Sequence, residues 1–185
     1  MSISSQPLSG AHQFDNAGVA IAAALELDLP EAAIAEGLKA VRWPARMQRL
    51  TNGPYADKAQ KADAELWLDG GHNPAGGEAL AATLSAMPPR PTHLVCGMLN
   101  TKDIAGYLRP LAAHACSLTA IEIPGEPNTL PAATTAGVAA SVGMIAGMAD
   151  DAAVAVSAIV ARDPQARILI CGSLYLAGRV LRENG

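Results

Sequence analysis

LDGGHNP, residues 68–74, decides how this chain is read. The run from Glu65 to Leu68 leads into it, and an alanine-rich stretch from Gly76 to Met87 leads away. The first has strand composition and the second helix composition, so the motif is a strand-to-helix turn. Asp69 closes the strand. Gly70 and Gly71 permit backbone angles and close approaches that other residues resist. Asn73 can cap the helix, with Pro74 at its first position.

The same alternation continues toward the carboxyl end. His93 to Leu99 is an apolar strand, Ile104 to Ala115 a helix and Ser117 to Ile123 a further strand. Thr134 to Val142 is helical, and MIAGM at 144–148 is a short edge strand. Asp151 to Ala161 is a helix with Asp150 or Asp151 near its cap. Arg167 to Cys171 is a strand, and Leu174 to Arg182 the last helix. Alternation of this kind predicts an α/β fold with a mostly parallel sheet covered by helices and joined by right-handed crossovers.

Toward the amino end the pattern changes. Met47 to Leu50 reads as a short strand, and TNGPYADKAQKADA (51–64) as an exposed loop or long hairpin connection. Phe14 to Leu27 is helical in composition. Pro30 can open a second helix in which Ile34, Leu38 and Val41 recur at helical spacing. That helix ends at Trp43-Pro44, because a residue before proline resists helix. Residues 1–10 are polar and expected to fray.

Composition narrows the function classes. The chain has 185 residues, half of them hydrophobic and 16% charged, enough for one domain with a core plus a small appendage. Aromatics are only 3%, so Ala, Leu, Ile and Val build the core. A net charge of −4 without a basic stripe argues against nucleic acid as a partner. The alanine runs are broken by charge, Gly or Pro, so no membrane partner is expected. Cys96, Cys116 and Cys171 match no zinc spacing, and no metal site is expected of the chain itself. Cys96 and Cys171 read as buried reduced thiols. With no signal-peptide pattern in MSISSQPLSG, the expected location is cytoplasmic.

Parallel sheets bind ligands beyond the carboxyl ends of their strands, which selects the turns at 69–74, 97–103, 124–129 and 172–174. In the first, the helix N-terminus suits an anion. Asp69 can accept from a ribose hydroxyl or hold a metal-bound water, and His72 can donate to a carboxylate or phosphate. The plainer use is a helix start with His72 on the surface. In CGSLYLAG, Ser173 can cap the last helix or bond a ligand carboxylate. In GMLNTKD, Lys102 can neutralise a phosphate or carboxylate or simply be solvated, and Asp103 can cap a helix. WPAR offers Arg46, whose fork grips phosphate or carboxylate at two points. HQFDN offers His12, Gln13 and Asn16, which can also be mere caps. GxxxxGK[ST], HExxH and GxSxG are all absent, so no self-sufficient catalytic set is present.

HQFDNA, WPAR, LDGGHNP, CGMLNTKD and CGSLYLAG, in that order from His12 to Gly178, resemble the C-terminal region of folylpolyglutamate synthase. The likeness extends to its bifunctional dihydrofolate synthase form, the folate branch of the Mur ligase superfamily. The resemblance implies a Rossmann-like, mostly parallel sheet of about six strands with helices on both faces, preceded by two linker helices. It implies that residues 1–43 are the tail of a central P-loop ATPase domain and its linker, and 44–185 the C-terminal ligase domain. The family uses ATP and Mg²⁺, held mainly by the larger domain, to activate a folate or dihydropteroate carboxylate as an acyl phosphate that L-glutamate then attacks. By resemblance Asn16, Arg46 and Asp69 match ATP-binding positions, and His72 and Ser173 match positions near the incoming glutamate. Lys102 and Asp103 match a motif whose role is unassigned, and His12 and Gln13 match the end of the larger domain. The usual WPGR reads WPAR and the usual LDGAHN reads LDGGHN. GML is followed by NTKD where aspartate commonly precedes KD.

With the phosphate cradle missing, the chain is expected to be part of a longer enzyme and inactive alone. The alternatives are a stand-alone Rossmann-like binding or regulatory module without catalysis, and a ligase acting on a cell-wall peptide. The helices at 14–41 are expected to expose an apolar face.

Overall fold

The structure, a computed structural model, describes residues 12–184; the expected fraying of 1–10 lies outside them. Two helices come first, α1 (His12–Glu26) and α2 (Glu31–Ala40). Their link turns at Asp28, whose φ of 53° is left-handed. Ala17 and Ile34 are buried, whereas Val19 and Leu27 stay exposed. An apolar groove of about 380 Å³ runs between the helices past Ile21, Leu38 and Val41. The expected exposed apolar face is therefore present.

The remainder is built on one six-stranded sheet. In chain order its strands are β1 (Gln48–Arg49), β2 (Glu65–Leu68), β3 (Thr92–Cys96), β4 (Ser117–Ala120), β5 (Ala146–Met148) and β6 (Arg167–Cys171). In space the order is β1-β2-β6-β3-β4-β5, with β1 antiparallel to β2 and every other pairing parallel. β6 lies between β2 and β3, and each residue of its RILIC is buried. A continuous apolar run is what a central strand covered on both faces requires. β5 lies at the edge, as its length and position suggested.

Strand periodicity sorts the core into two layers. Leu66, Leu68, Val95, Ile168 and Ile170 face α3 (Pro54–Gln60), α7 (Ala152–Arg162) and α8 (Leu174–Asn184). Leu94, Cys96, Leu118, Leu169 and Cys171 face α4 (Pro74–Ala86), α5 (Ile104–Leu108) and α6 (Ala132–Ser141). Among the described residues, no helix is long and apolar enough to cross a membrane.

Residues 51–64 correct the sequence reading, because part of the supposed loop is the helix α3. Gly53 at φ 92° turns the chain, and Pro54 starts the helix. Tyr55, Ala56 and Ala59 pack into the core while the charged side chains between them face water. The helix predicted over 104–115 is also divided. α5 ends at Leu108 and a 3₁₀ segment, Arg109–His114, follows. Pro110 lacks the N–H that an α-helix needs there. Asp151, not Asp150, caps α7, accepting from the Val154 N–H at 2.8 Å.

The sheet order fixes where a ligand can sit. The chain leaving β2 enters α4 on one face, and the chain leaving the neighbouring β6 enters α8 on the other. The two exits diverge and leave a crevice at the carboxyl ends of those strands.

Candidate functional site

The turn after β2 is tied to the segment before β1. Asp69 is buried. Its Oδ2 accepts from the Met47 N–H at 2.9 Å and its Oδ1 from the Gly71 N–H at 2.7 Å. The Gly70 N–H donates to the Ala45 carbonyl at 2.8 Å. A Cβ on Gly70 would lie 2.4 Å from Leu174 Cδ2 and 3.2 Å from Arg46 Nη1, so a larger residue there would push the Leu174 side chain aside and crowd Arg46. Asn73 caps α4 as expected, its Oδ1 accepting from the Gly76 N–H at 2.8 Å with Pro74 at the first position.

Arg46 sits between two non-glycine residues in the left-handed region, Ala45 at φ 57° and Met47 at φ 41°. Those angles are costly for L-residues and persist only where surrounding bonds over-determine them. Here the bonds run to Asp69 and Gly70, and the Ala45 N–H donates to Gln48 Oε1 at 2.9 Å. The twist brings the Arg46 guanidinium over the Trp43 ring, 5.4 Å from its centroid.

Asn16, Arg46, Asp69 and His72 line one cavity of about 360 Å³, together with Gln13, Trp43 and Gly76 from the first turn of α4. Asn16 also donates to Gln13 Oε1 at 3.2 Å, which holds the two α1 amides together. The cavity therefore offers a cation, an aromatic face, a carboxylate and a helix N-terminus. Those groups suit an anionic, ring-bearing ligand.

His72 also lines a second cavity, of about 220 Å³, with Leu99, Lys102, Gly172, Ser173 and Tyr175. Its Nδ1 lies 2.8 Å from the Gly70 carbonyl. A carbonyl only accepts, so Nδ1 carries the proton and Nε2 of the neutral ring is an acceptor. Ser173 is buried, and its Oγ accepts from the Tyr175 N–H at 3.1 Å, so the capping use is realised. Its hydroxyl proton remains available as a donor. Lys102 is half-buried and forms no ion pair among the described residues.

Asp103 does not join either group. It caps α5, its Oδ1 accepting from the Gly106 N–H at 2.9 Å. His12 opens α1. Trp43 was read in the sequence only as a helix terminator. Its spacing of three from Arg46 was the signal for the stacked pair. Glu65 lies at the opposite end of the sheet. Burial raises its carboxyl pKa, but hydrogen bonds from Trp67 and Arg167 and the charges of Arg167 and Arg49 outweigh that and hold it below the ordinary value. Among the described residues there is no cluster of three or more His, Cys, Asp or Glu that could hold a metal ion.

A family model described as Mur ligase, glutamate ligase domain, matches residues 46–174, from Arg46 through the turn after β6. The chain belongs to this family. Asp69, His72, Lys102 and Ser173 all fall within the matched ligase-domain span, while Gln13 and Asn16 precede it. A folylpolyglutamate synthase of Lacticaseibacillus casei is 30% identical over 180 residues, covering 94% of this chain and 39% of that protein. The structure of Mycobacterium tuberculosis folylpolyglutamate synthase complexed with ADP aligns with a TM-score of 0.82 at 28% identity, covering 97% of this chain and 41% of that one. A bifunctional folylpolyglutamate synthase/dihydrofolate synthase with Mn, AMPPNP and L-glutamate bound aligns with a TM-score of 0.73 at 25% identity, covering 97% of this chain and 41% of that one. The chain thus spans about two-fifths of the length of these relatives.

Proposed function

We propose that this chain is the carboxyl-terminal part of a cytoplasmic, ATP-dependent ligase of the folylpolyglutamate synthase kind, joining L-glutamate to a folate and, in a bifunctional form, to dihydropteroate. Residues 1–43 would belong to the tail and linker of a P-loop ATPase domain of the same parent chain, and 44–185 to the ligase domain. The observation that carries the reading is the meeting of two cavities at His72. One has the groups for a nucleotide, Asn16, Arg46 and Asp69, and the other has those for an amino acid, Lys102 and Ser173.

The residues present fit a nucleotide and fit a divalent metal only at its margin, since among the described residues Asp69 is the one carboxylate lining the first cavity. Bound ATP with Mg²⁺ would supply the phosphoryl group that activates a carboxylate; the metal would be held mainly by the other domain. Arg46, stacked on Trp43 and lining the cavity, would offer its fork to the phosphoryl oxygens of a bound nucleotide, where negative charge gathers. Asp69, held by two backbone donors, orients a ribose hydroxyl or a metal-bound water. Lys102 and the Ser173 hydroxyl bind the glutamate carboxylates. His72, with Nδ1 committed to the Gly70 carbonyl, offers Nε2 to the incoming amine. Closure of a P-loop ATPase domain over this face would exclude water, so an activated carboxylate would meet the amine and not be hydrolysed.

The test is phosphate release dependent on ATP, folate and glutamate. It compares the chain alone, the chain joined to its native upstream sequence, and the joined protein with Asp69→Ala. Silence alone, turnover when joined and its collapse in the variant are expected. Turnover by the chain alone, or silence of a folded joined protein, would overturn the reading and favour a binding module.

A further inference from the structure

Leu174 is the first residue of α8, and among the described residues it belongs to neither core layer. The helix packs on the sheet through Leu176, Ala177 and Val180. Leu174 is 48% exposed, so its isobutyl group is not what holds α8 in place. A single exposed leucine is ordinary on a protein surface. This one, however, rests on the turn that carries Asp69 and His72. A Cβ built on Gly70 would lie 2.4 Å from Leu174 Cδ2, 3.4 Å from its Cγ and 3.2 Å from Arg46 Nη1. The leucine methyl and the guanidinium nitrogen therefore flank the same face of Gly70.

The backbone around Leu174 fixes that direction. Gly172 turns the chain at φ 104°, and the Tyr175 N–H donates to Ser173 Oγ at 3.1 Å, across Leu174. Gly70 and Arg46 line the first cavity, whereas Leu174 lines the second, with Lys102 and Ser173. The two cavities thus adjoin at His72, which lines both, and again where Leu174 sits on Gly70. His72 is the polar side of that junction and Leu174 the apolar side. An isobutyl group has neither donor nor acceptor, so it offers water no partner there.

We propose that Leu174 is an apolar wall between the two cavities, keeping water from the activated carboxylate while the amine is admitted past His72. The proposal rests on the ligase reading above. In the productive step the glutamate nitrogen bonds to the acyl carbon, the bond from that carbon to the phosphate oxygen breaks, and the nitrogen gives up a proton. If water takes the amine's place, its oxygen bonds to the same carbon, phosphate leaves, the carboxylate returns and a proton is released. ATP is then hydrolysed and no amide forms. The wall therefore acts on the partition between two nucleophiles and not on phosphoryl transfer.

The experiment counts phosphate released and glutamate incorporated by the chain joined to its native upstream sequence, supplied with ATP, folate and glutamate. It compares wild type, Leu174→Ala and Leu174→Met, and follows thermal unfolding of the 185-residue chain for each. Wild type should release one phosphate per glutamate joined. Leu174→Ala should raise that ratio to about two or more, because water is no longer excluded. Leu174→Met, close in volume and equally apolar, should return it to about one. Both variants should unfold within about 3 °C of wild type, as expected of a residue outside the core. A ratio that stays at one in Leu174→Ala overturns the proposal, however far the rate falls. So does a Leu174→Met ratio as high as that of Leu174→Ala, or a larger drop in unfolding temperature, which would make the leucine structural. A wild-type joined protein that is folded and silent overturns the proposal together with the ligase reading.

Discussion

Gly172→Ala should be among the most damaging single-methyl changes in the chain, and the structure says why. Gly172 has φ 104°, in the region that L side chains rarely adopt. Holding a residue there costs roughly 1–3 kcal/mol. A Cβ would also lie 2.8 Å from each of Cys96 Sγ, the Gly97 carbonyl oxygen and Met98 Sδ. Met98 can move its sulfur, but the Gly97 oxygen belongs to the backbone between β3 and its turn. Overpacking of this kind adds about 1–3 kcal/mol. Removing glycine's freedom in the unfolded chain gives back about 0.4–1 kcal/mol. The net loss is about 3 kcal/mol, a large part of the roughly 5–15 kcal/mol that a domain has. Gly143 supplies the control, with φ 92° and nothing within 4 Å of its Cβ position. Gly143→Ala carries the backbone cost alone and should lose only about 1 kcal/mol. Urea unfolding of both variants, with equal m-values, would read the difference as a shift in midpoint. If the two losses agree within about 0.5 kcal/mol, the packing argument at the β3–β6 exits is wrong, whatever the absolute values.

Asn73→Ala removes the cap on the Gly76 N–H and should cost about 1 kcal/mol, lowering Tm by about 2–4 °C in calorimetry. Glu65→Gln tests a pH dependence: Glu65 titrates below its ordinary 4.5 when folded. Its contribution should be present above that ordinary value and lost as pH falls through the depressed one. The stability gap between wild type and variant, followed by urea midpoints from pH 7 to pH 3, should narrow on the acid side; a constant gap would contradict the assignment. Lys102→Met, assayed in the joined protein, should raise KM for glutamate about tenfold or more with a much smaller change in kcat. An unchanged KM would remove Lys102 from the amino-acid cavity.

The strands and most helices were legible because their signals are local. Apolar runs such as RILIC and HLVC, and the helix starts at Pro74 and Asp151, depend on neighbours within a few residues. α3 was hidden for the opposite reason. Its buried face is Tyr55, Ala56 and Ala59, and between the two weakly hydrophobic alanines stand Asp57 and Lys58, so periodicity in hydropathy nearly vanishes. The order of the sheet was not legible either. β6, last in the chain, is inserted between β2 and β3, and nothing local in residues 65–171 specifies that. The insertion is what builds the site. Asp69 follows β2 and Ser173 follows β6, and they flank one crevice only because those strands pair, Leu68 opposite Ile170. Separate turns could be selected from the sequence by the rule about carboxyl ends. That His72 would face both cavities, and that Asp103 would be taken up in capping, follows from tertiary placement.

WPAR shows how a departure from a family pattern becomes interpretable once backbone angles are known. As a string, alanine for glycine is a mild change. At φ 57° it is a residue held in a conformation that glycine adopts freely, next to Met47 at φ 41°. Ala45 is buried in the same core layer as Leu68 and Ile170, so its methyl contributes burial that a glycine would forgo. A buried methyl is worth about 0.8 kcal/mol and the added freedom of an unfolded glycine about 0.4–1 kcal/mol, together comparable to the left-handed cost of about 1–2 kcal/mol. Alanine is thus tolerated at this position by near cancellation. A β-branched residue there would keep the backbone cost and add side-chain crowding. The turn survives because Asp69 and Gly70, twenty-odd residues away in sequence, hold Met47 and Ala45 by hydrogen bonds. Strain at Ala45 and Met47, on either side of Arg46, and the order of the LDGG turn are therefore one feature, and loosening either should release the guanidinium from its place beside the cavity.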